Sequence, residues 1–140
     1  MRILALGLLS IVLIWMGCSM TETIIKQSSP LPVDGIVPPR IASAPEVEYP
    51  DVGTRLEIEG VVYVKTIVRK DGHADSAQVI KREFNFTGIL QTNGTVKPVG
   101  EVFDPLALKF VNAVVFEPAL KNGQPVEVWI LVPVRWVLRR

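Results

Sequence analysis

Residues Gly60–Arg69 read GVVYVKTIVR and run into Lys70-Asp71-Gly72. The stretch is β-branched and alternates, with Val62, Val64, Thr66 and Val68 on one face and Val61, Tyr63, Lys65, Ile67 and Arg69 on the other. Asp-Gly is a strong hairpin signal, so His73–Arg82 is expected to return as a second strand. Downstream, Asp104 before Pro105 reads as an N-cap and a first-turn proline opening a helix through LALKFVNAVV. Ala107, Leu108, Val111, Val114 and Val115 form its apolar stripe. After Phe116-Glu117-Pro118 and a Lys121-Asn122-Gly123-Gln124 turn, one long last strand is expected over Val126–Leu138. Val126, Val128, Ile130, Val132, Val134 and Trp136 share one face of it. The order strand, strand, helix, strand predicts a small two-layer α+β domain over residues 46–140.

Glu83–Phe103 is less regular: either Asn93-Gly94 turns a second small hairpin or the segment is a long loop. Upstream, residues 18–45 carry Pro30, Pro32, Pro38, Pro39 and Pro45 without apolar periodicity, which reads as a solvated, semi-extended linker. Fully stretched it reaches about 90 Å, and as a relaxed coil about 30 Å. The first residues, MRILALGLLSIVLIWMGC, place Arg2 before an apolar run that is short for a membrane span. Residues 1–17 resemble a lipoprotein signal peptide, which implies lipidation of Cys18, palmitate among the acyl groups. Trp15 departs from the Leu usual three residues before such a cysteine. Two or more chains hold a protein on a membrane stably, at about 0.8 kcal/mol per buried methylene. The alternative is an uncleaved anchor helix with an inert cysteine.

The 140 residues fit one small domain and a tail, and 15 basic against 14 acidic groups lack the clustered surplus that nucleic-acid binding requires. One cysteine cannot make an internal disulfide or a multi-thiol zinc site. His73 directly follows a turn glycine and reads as solvated, and no His, Cys or carboxylate cluster lies at metal-ligand spacing. Glu46/Glu48 and Glu57/Glu59 read as surface carboxylates. No cofactor, metal or enzymatic activity is expected.

Tyr49-Pro50, Ile58-Glu59-Gly60, Asp71-Gly72, Ala107, Phe116-Glu117-Pro118-Ala119, Asn122-Gly123-Gln124-Pro125-Val126, Val132-Pro133-Val134 and Trp136 occur in an order that resembles TonB C-terminal domains. The resemblance implies a three-stranded antiparallel sheet with helices packed on one face. It puts the first hairpin strand in the middle, the last strand at an edge, and a short helix near Asp51–Leu56. Energy-transducing members carry an N-terminal Ser and His that engage a proton-driven motor, and a long proline-rich span. Here the N-terminal segment lacks histidine and the linker is short, which speaks against motor coupling.

The expected function is therefore binding. An edge strand offers unpaired N–H and C=O groups to an incoming extended peptide. The candidate peptide-binding residues are Val126, Val128, Trp129, Ile130, Leu131, Val132 and Val134. Pro133 fits an edge because it has no N–H. Trp129, Leu131 and Val137 share the outer face with Val61, Tyr63 and Ile67, which is either a partner surface or one covered by the linker or by Glu83–Phe103. Tyr49 and Pro50 match the family segment beside the bound receptor peptide, and equally read as an anchor packing Tyr49 on the sheet.

The expected partner is an envelope protein, such as an outer-membrane receptor of TonB-dependent transport. The expected location is the periplasm-facing bacterial cell envelope, with Ser19 favouring the outer membrane over the inner. The rival expectation is an assembly lipoprotein in which the edges of two copies pair as a homodimer.

Overall fold

The computed structural model describes residues 35–139. The signal segment, Cys18, Ser19 and residues 18–34 of the linker lie outside the described residues. Strands β1 (Ile36–Val37) and β2 (Arg40–Ser43) come first, then α1 (Asp51–Arg55) and the hairpin β3 (Gly60–Val68) and β4 (Ala74–Phe84). A second hairpin, β5 (Ile89–Thr92) and β6 (Thr95–Pro98), precedes α2 (Val99–Ala113). Four strands follow: β7 (Val115–Glu117), β8 (Ala119–Lys121), β9 (Gln124–Val126) and β10 (Val128–Trp136).

The main sheet is antiparallel in the order β10-β3-β4, with the first hairpin strand in the middle. Its inner face is the alternation read from the sequence: Val62, Val64, Thr66 and Val68 are all fully buried. Helix α2 packs on β3 and β4 through Val99, Phe103, Ala107, Phe110 and Val111. The core centres on Phe103, whose ring lies 4.8 Å from Phe84, 5.0 Å from Trp136 and 6.3 Å from Tyr49 between centroids. Two polar groups carried into this core are satisfied: Thr66 Oγ1 donates to Asp75 O at 2.8 Å and Trp136 Nε1 to Glu48 O at 3.0 Å.

Three expectations are corrected. Helix α2 begins at Val99, six residues before the expected first helical residue, Pro105, which lies inside it. Asp104 is thus not an N-cap: its carboxylate accepts from Arg82 Nε at 2.8 Å, tying the helix to β4. Val115 leaves the helical stripe for β7, where it is exposed, and Phe103 and Phe110 take the buried positions. The expected last strand divides at Glu127. Asn122 and Gly123, with φ of +50° and +76°, close a tight β8–β9 hairpin that sets Ala119 opposite Val126, so Val126 belongs to a different sheet from β10.

The proline-rich stretch also changes meaning where it is described. β1 pairs with β8 and β2 with β7, so Ile36–Ser43 lies as a strap along the edge of Val115–Lys121. Glu83–Phe103 resolves as the hairpin of the two readings, since Asn93 and Gly94 both take positive φ and Leu90 is buried.

In β4, Asp75 holds a bulge: its carboxylate accepts from Arg69 Nε at 2.7 Å and from the N–H of Ser76, itself at φ +54°, at 2.6 Å. The Arg69 hydrogen bond, then the Ser76 N–H, keeps the Asp75 carboxyl below its ordinary range. A carboxyl with a native pKa below its unfolded value contributes stability above the unfolded pKa and loses it as pH falls through the native one. We expect Asp75→Asn to flatten the acid limb of urea-unfolding midpoints and leave the neutral-to-basic limb parallel to wild type. The effect is small, because the pair is exposed.

Candidate strand-binding edge

A sheet offers itself to an added strand only where an edge is regular and uncovered. The edge of β7 and β8 carries the strap. On the other side of the main sheet, β4 shifts register twice, between the partners of Tyr63 and Val64 and between those of Lys65 and Ile67. Bulges of this kind unpair residues and twist an edge away from further pairing. By contrast, β10 holds one unbroken register against β3 from Val128↔Val68 to Trp136↔Gly60, and no described strand lies on its far side.

Antiparallel ladders alternate which neighbour each residue's N–H and C=O face. Arg69 N–H donates to His73 O and Asn85 N–H to Glu59 O, both at 2.9 Å, so the odd-numbered residues of β3 face β4. Its even-numbered residues therefore face β10 and pair with Val128, Ile130, Val132, Val134 and Trp136. The backbone groups of Trp129, Leu131, Pro133 and Arg135 are left pointing to the free edge, and Pro133 contributes only its carbonyl.

The expected site residues accordingly divide. Trp129 and Leu131 have their backbone groups at the open edge and their side chains about half exposed, at 54% and 51%. Val128, Ile130, Val132 and Val134 have their backbone groups turned to β3, and Val132 and Val134 are buried in the core. Val126 lies in β9, away from this edge. Pro133 and Arg135 complete the edge, and the alternation that predicted the buried face contained them as the odd positions of the same strand.

Neither the β5–β6 hairpin nor the described part of the linker covers the outer face. Cross-strand rows there join Trp129 to Ile67, Leu131 to Lys65, Pro133 to Tyr63 and Arg135 to Val61. Lys65 Nζ sits 4.7 Å from the centroid of the Trp129 ring, at a distance suited to a cation–π contact. Toward β4 the face becomes polar. Lys81 pairs with Glu83 at 2.5 Å and Tyr63 donates to Glu83 at 3.0 Å, which together hold the Glu83 carboxyl below its ordinary range.

Tyr49 and Pro50 sit elsewhere. The Tyr49 hydroxyl donates to Ile58 O at 2.5 Å, its ring edges Phe103, and Pro50 leads into α1. Glu48 bonds Lys109 Nζ and Glu59 accepts from Leu138 N–H, each at 2.8 Å, so these two carboxylates fasten the chain. Among the described residues no cluster of His, Cys, Asp or Glu could hold a metal, and no helix is long and apolar enough to cross a membrane.

Residues 87–138 match the model of the Gram-negative bacterial TonB protein C-terminal family. The match takes in the second hairpin, α2 and the strands through β10, and the β3–β4 hairpin precedes it. The fold agrees with it: a mixed α+β arrangement with a three-stranded antiparallel sheet and two helices. The family is one of protein-interaction domains of the bacterial envelope. Among curated proteins no match to this chain is found.

Proposed function

We propose, from the premise that residues 87–138 carry this chain's membership of the TonB C-terminal domain family, that it captures an extended segment of an envelope partner by strand addition along β10. The observation that carries the reading is the edge itself: nine residues in unbroken register with no described strand on their far side, while among the described residues the edge of β7 and β8 is strapped and that of β4 is bulged. Main-chain bonds to Trp129, Leu131 and Arg135 supply affinity, and the half-exposed Trp129 and Leu131 side chains supply selectivity on alternate positions. The partner the family implies is an outer-membrane receptor, and lipidated Cys18 would tether the domain beside it, facing the periplasm.

A photo-crosslinking residue at position 131 tests this in the envelope of a Gram-negative host, with position 96 on the β5–β6 hairpin as the control site. We expect a defined protein adduct from 131 that is absent from 96. Trp129→Asp should cut its yield on the order of thirtyfold, as loss of a central aromatic contact does. Equal adducts from both positions, or a yield untouched by Trp129→Asp, would place the binding surface elsewhere.

A further inference from the structure

We infer that Pro133 is the residue by which this edge accepts a foreign strand while rejecting a second copy of its own chain. The inference rests on the strand-addition reading of β10 and concerns its selectivity. Four residues of β10 face outward, and Pro133 has a carbonyl there but no N–H. Whatever pairs opposite it keeps one carbonyl without a donor, and a backbone group denied its partner at a strand contact is costly.

The symmetry of self-association counts that loss twice. Two copies pairing antiparallel through the same edge are related by a twofold axis. The register that uses the whole strand centres on Val132, with Trp129 opposite Arg135 and Leu131 opposite Pro133. Both Leu131 carbonyls are then stranded, at the middle of the contact, and both pyrrolidine rings press toward the facing backbone. A twofold register that avoids the proline centres on Ile130 and joins only Trp129 with Leu131. A foreign strand meets Pro133 once, keeps its bonds to Trp129, Leu131 and Arg135, and is left with a single orphaned carbonyl instead of two.

The sheet's own pairing gives Pro133 no other reason to resist substitution. Its nitrogen points away from β3, so an N–H placed there breaks no ladder bond, and its side chain lies half-buried in the outer-face row with Tyr63.

The test uses the full chain in detergent, as wild type, Pro133→Val and Pro133→Ala, with near-ultraviolet circular dichroism confirming native packing in each. Sedimentation equilibrium reads self-association. A labelled nine-residue peptide of alternating Thr and Val serves as the foreign strand. We expect the wild type to remain monomeric where Pro133→Val dimerises, with a dimer constant tightened about a hundredfold, roughly tenfold for each proline removed. The Thr-Val peptide should bind wild type and gain only about tenfold on Pro133→Val, because it faces one proline. Pro133→Ala should follow Pro133→Val in both assays. If the peptide binds and Pro133→Val stays monomeric, or if both assays gain by the same factor, the inference about Pro133 fails and the edge reading stands. If the peptide binds neither protein and no variant self-associates, the edge reading fails and takes the inference with it.

Discussion

Phe103→Ala is expected to lower the unfolding free energy by about 3–5 kcal/mol, the range for truncating a buried aromatic residue. The side chain is fully buried and joins elements from the whole molecule: Tyr49 before α1, Phe84 at the end of β4 and Trp136 at the end of β10. Its ring is also the first atom group that a side chain at Gly53 would meet, at 2.8 Å, so α1 closes directly onto it. Few neighbours can move into the space left behind, because β3 and α2 are fixed by their own pairing and packing. Small domains are typically stable by about 5–15 kcal/mol, so a loss of this size consumes a large share. Urea unfolding followed by tryptophan fluorescence reads the shift, with Phe103→Leu expected to lose less than half as much. A midpoint close to wild type for Phe103→Ala would show that the aromatic cluster is not the keystone of the core.

Gly72→Ala is expected to destabilise by roughly 2–5 kcal/mol, combining a strained backbone conformation with an overpacked contact. Gly72 closes the β3–β4 turn at φ +85°, and its N–H donates to Arg69 O at 2.9 Å. It is also the point where that turn docks onto β7: Phe116 N–H donates to Gly72 O at 2.8 Å, and His73 bridges Val115. A methyl group on Gly72 would lie 2.0 Å from the Phe116 carbonyl oxygen, a backbone atom that cannot swing aside. Relieving the clash means pulling the hairpin from β7, whose other edge holds the strap. Gly123→Ala is the matched comparison. It has a similar φ, +76°, but open space around the added carbon, so it should show the conformational part alone. Equal losses at the two glycines would mean that the contact with Phe116 contributes nothing.

Much of the fold was legible because its signals are local. Period-two alternation in Gly60–Val68 fixes which side chains are buried whatever strand lies alongside, since a one-residue slip would turn the whole valine set to solvent. Asp71-Gly72 and the two Asn-Gly pairs name their turns through backbone chemistry. The helix start is not legible in this way: Asp104-Pro105 satisfies the local rules for an N-terminus, while the start at Val99 is set by burial of Val99 and Phe103 against the sheet, a tertiary gain that overrides local preference.

Local residue patterns are enough for the inner face of the main sheet, the two-layer α+β class, and an edge-compatible strand marked by a proline. The tertiary structure alone sets which edge the described residues leave open, because strand pairing joins residues far apart in the chain and leaves no local mark. It laid Ile36–Ser43 along Val115–Lys121, moved Val126 into a separate hairpin, and turned Val128, Ile130, Val132 and Val134 inward. A run of alternating valines looks the same whichever edge it occupies. The direction of its hydrogen bonds, set by the parity of its pairing with β3, separates the residues that can meet a partner from those that hold the sheet together.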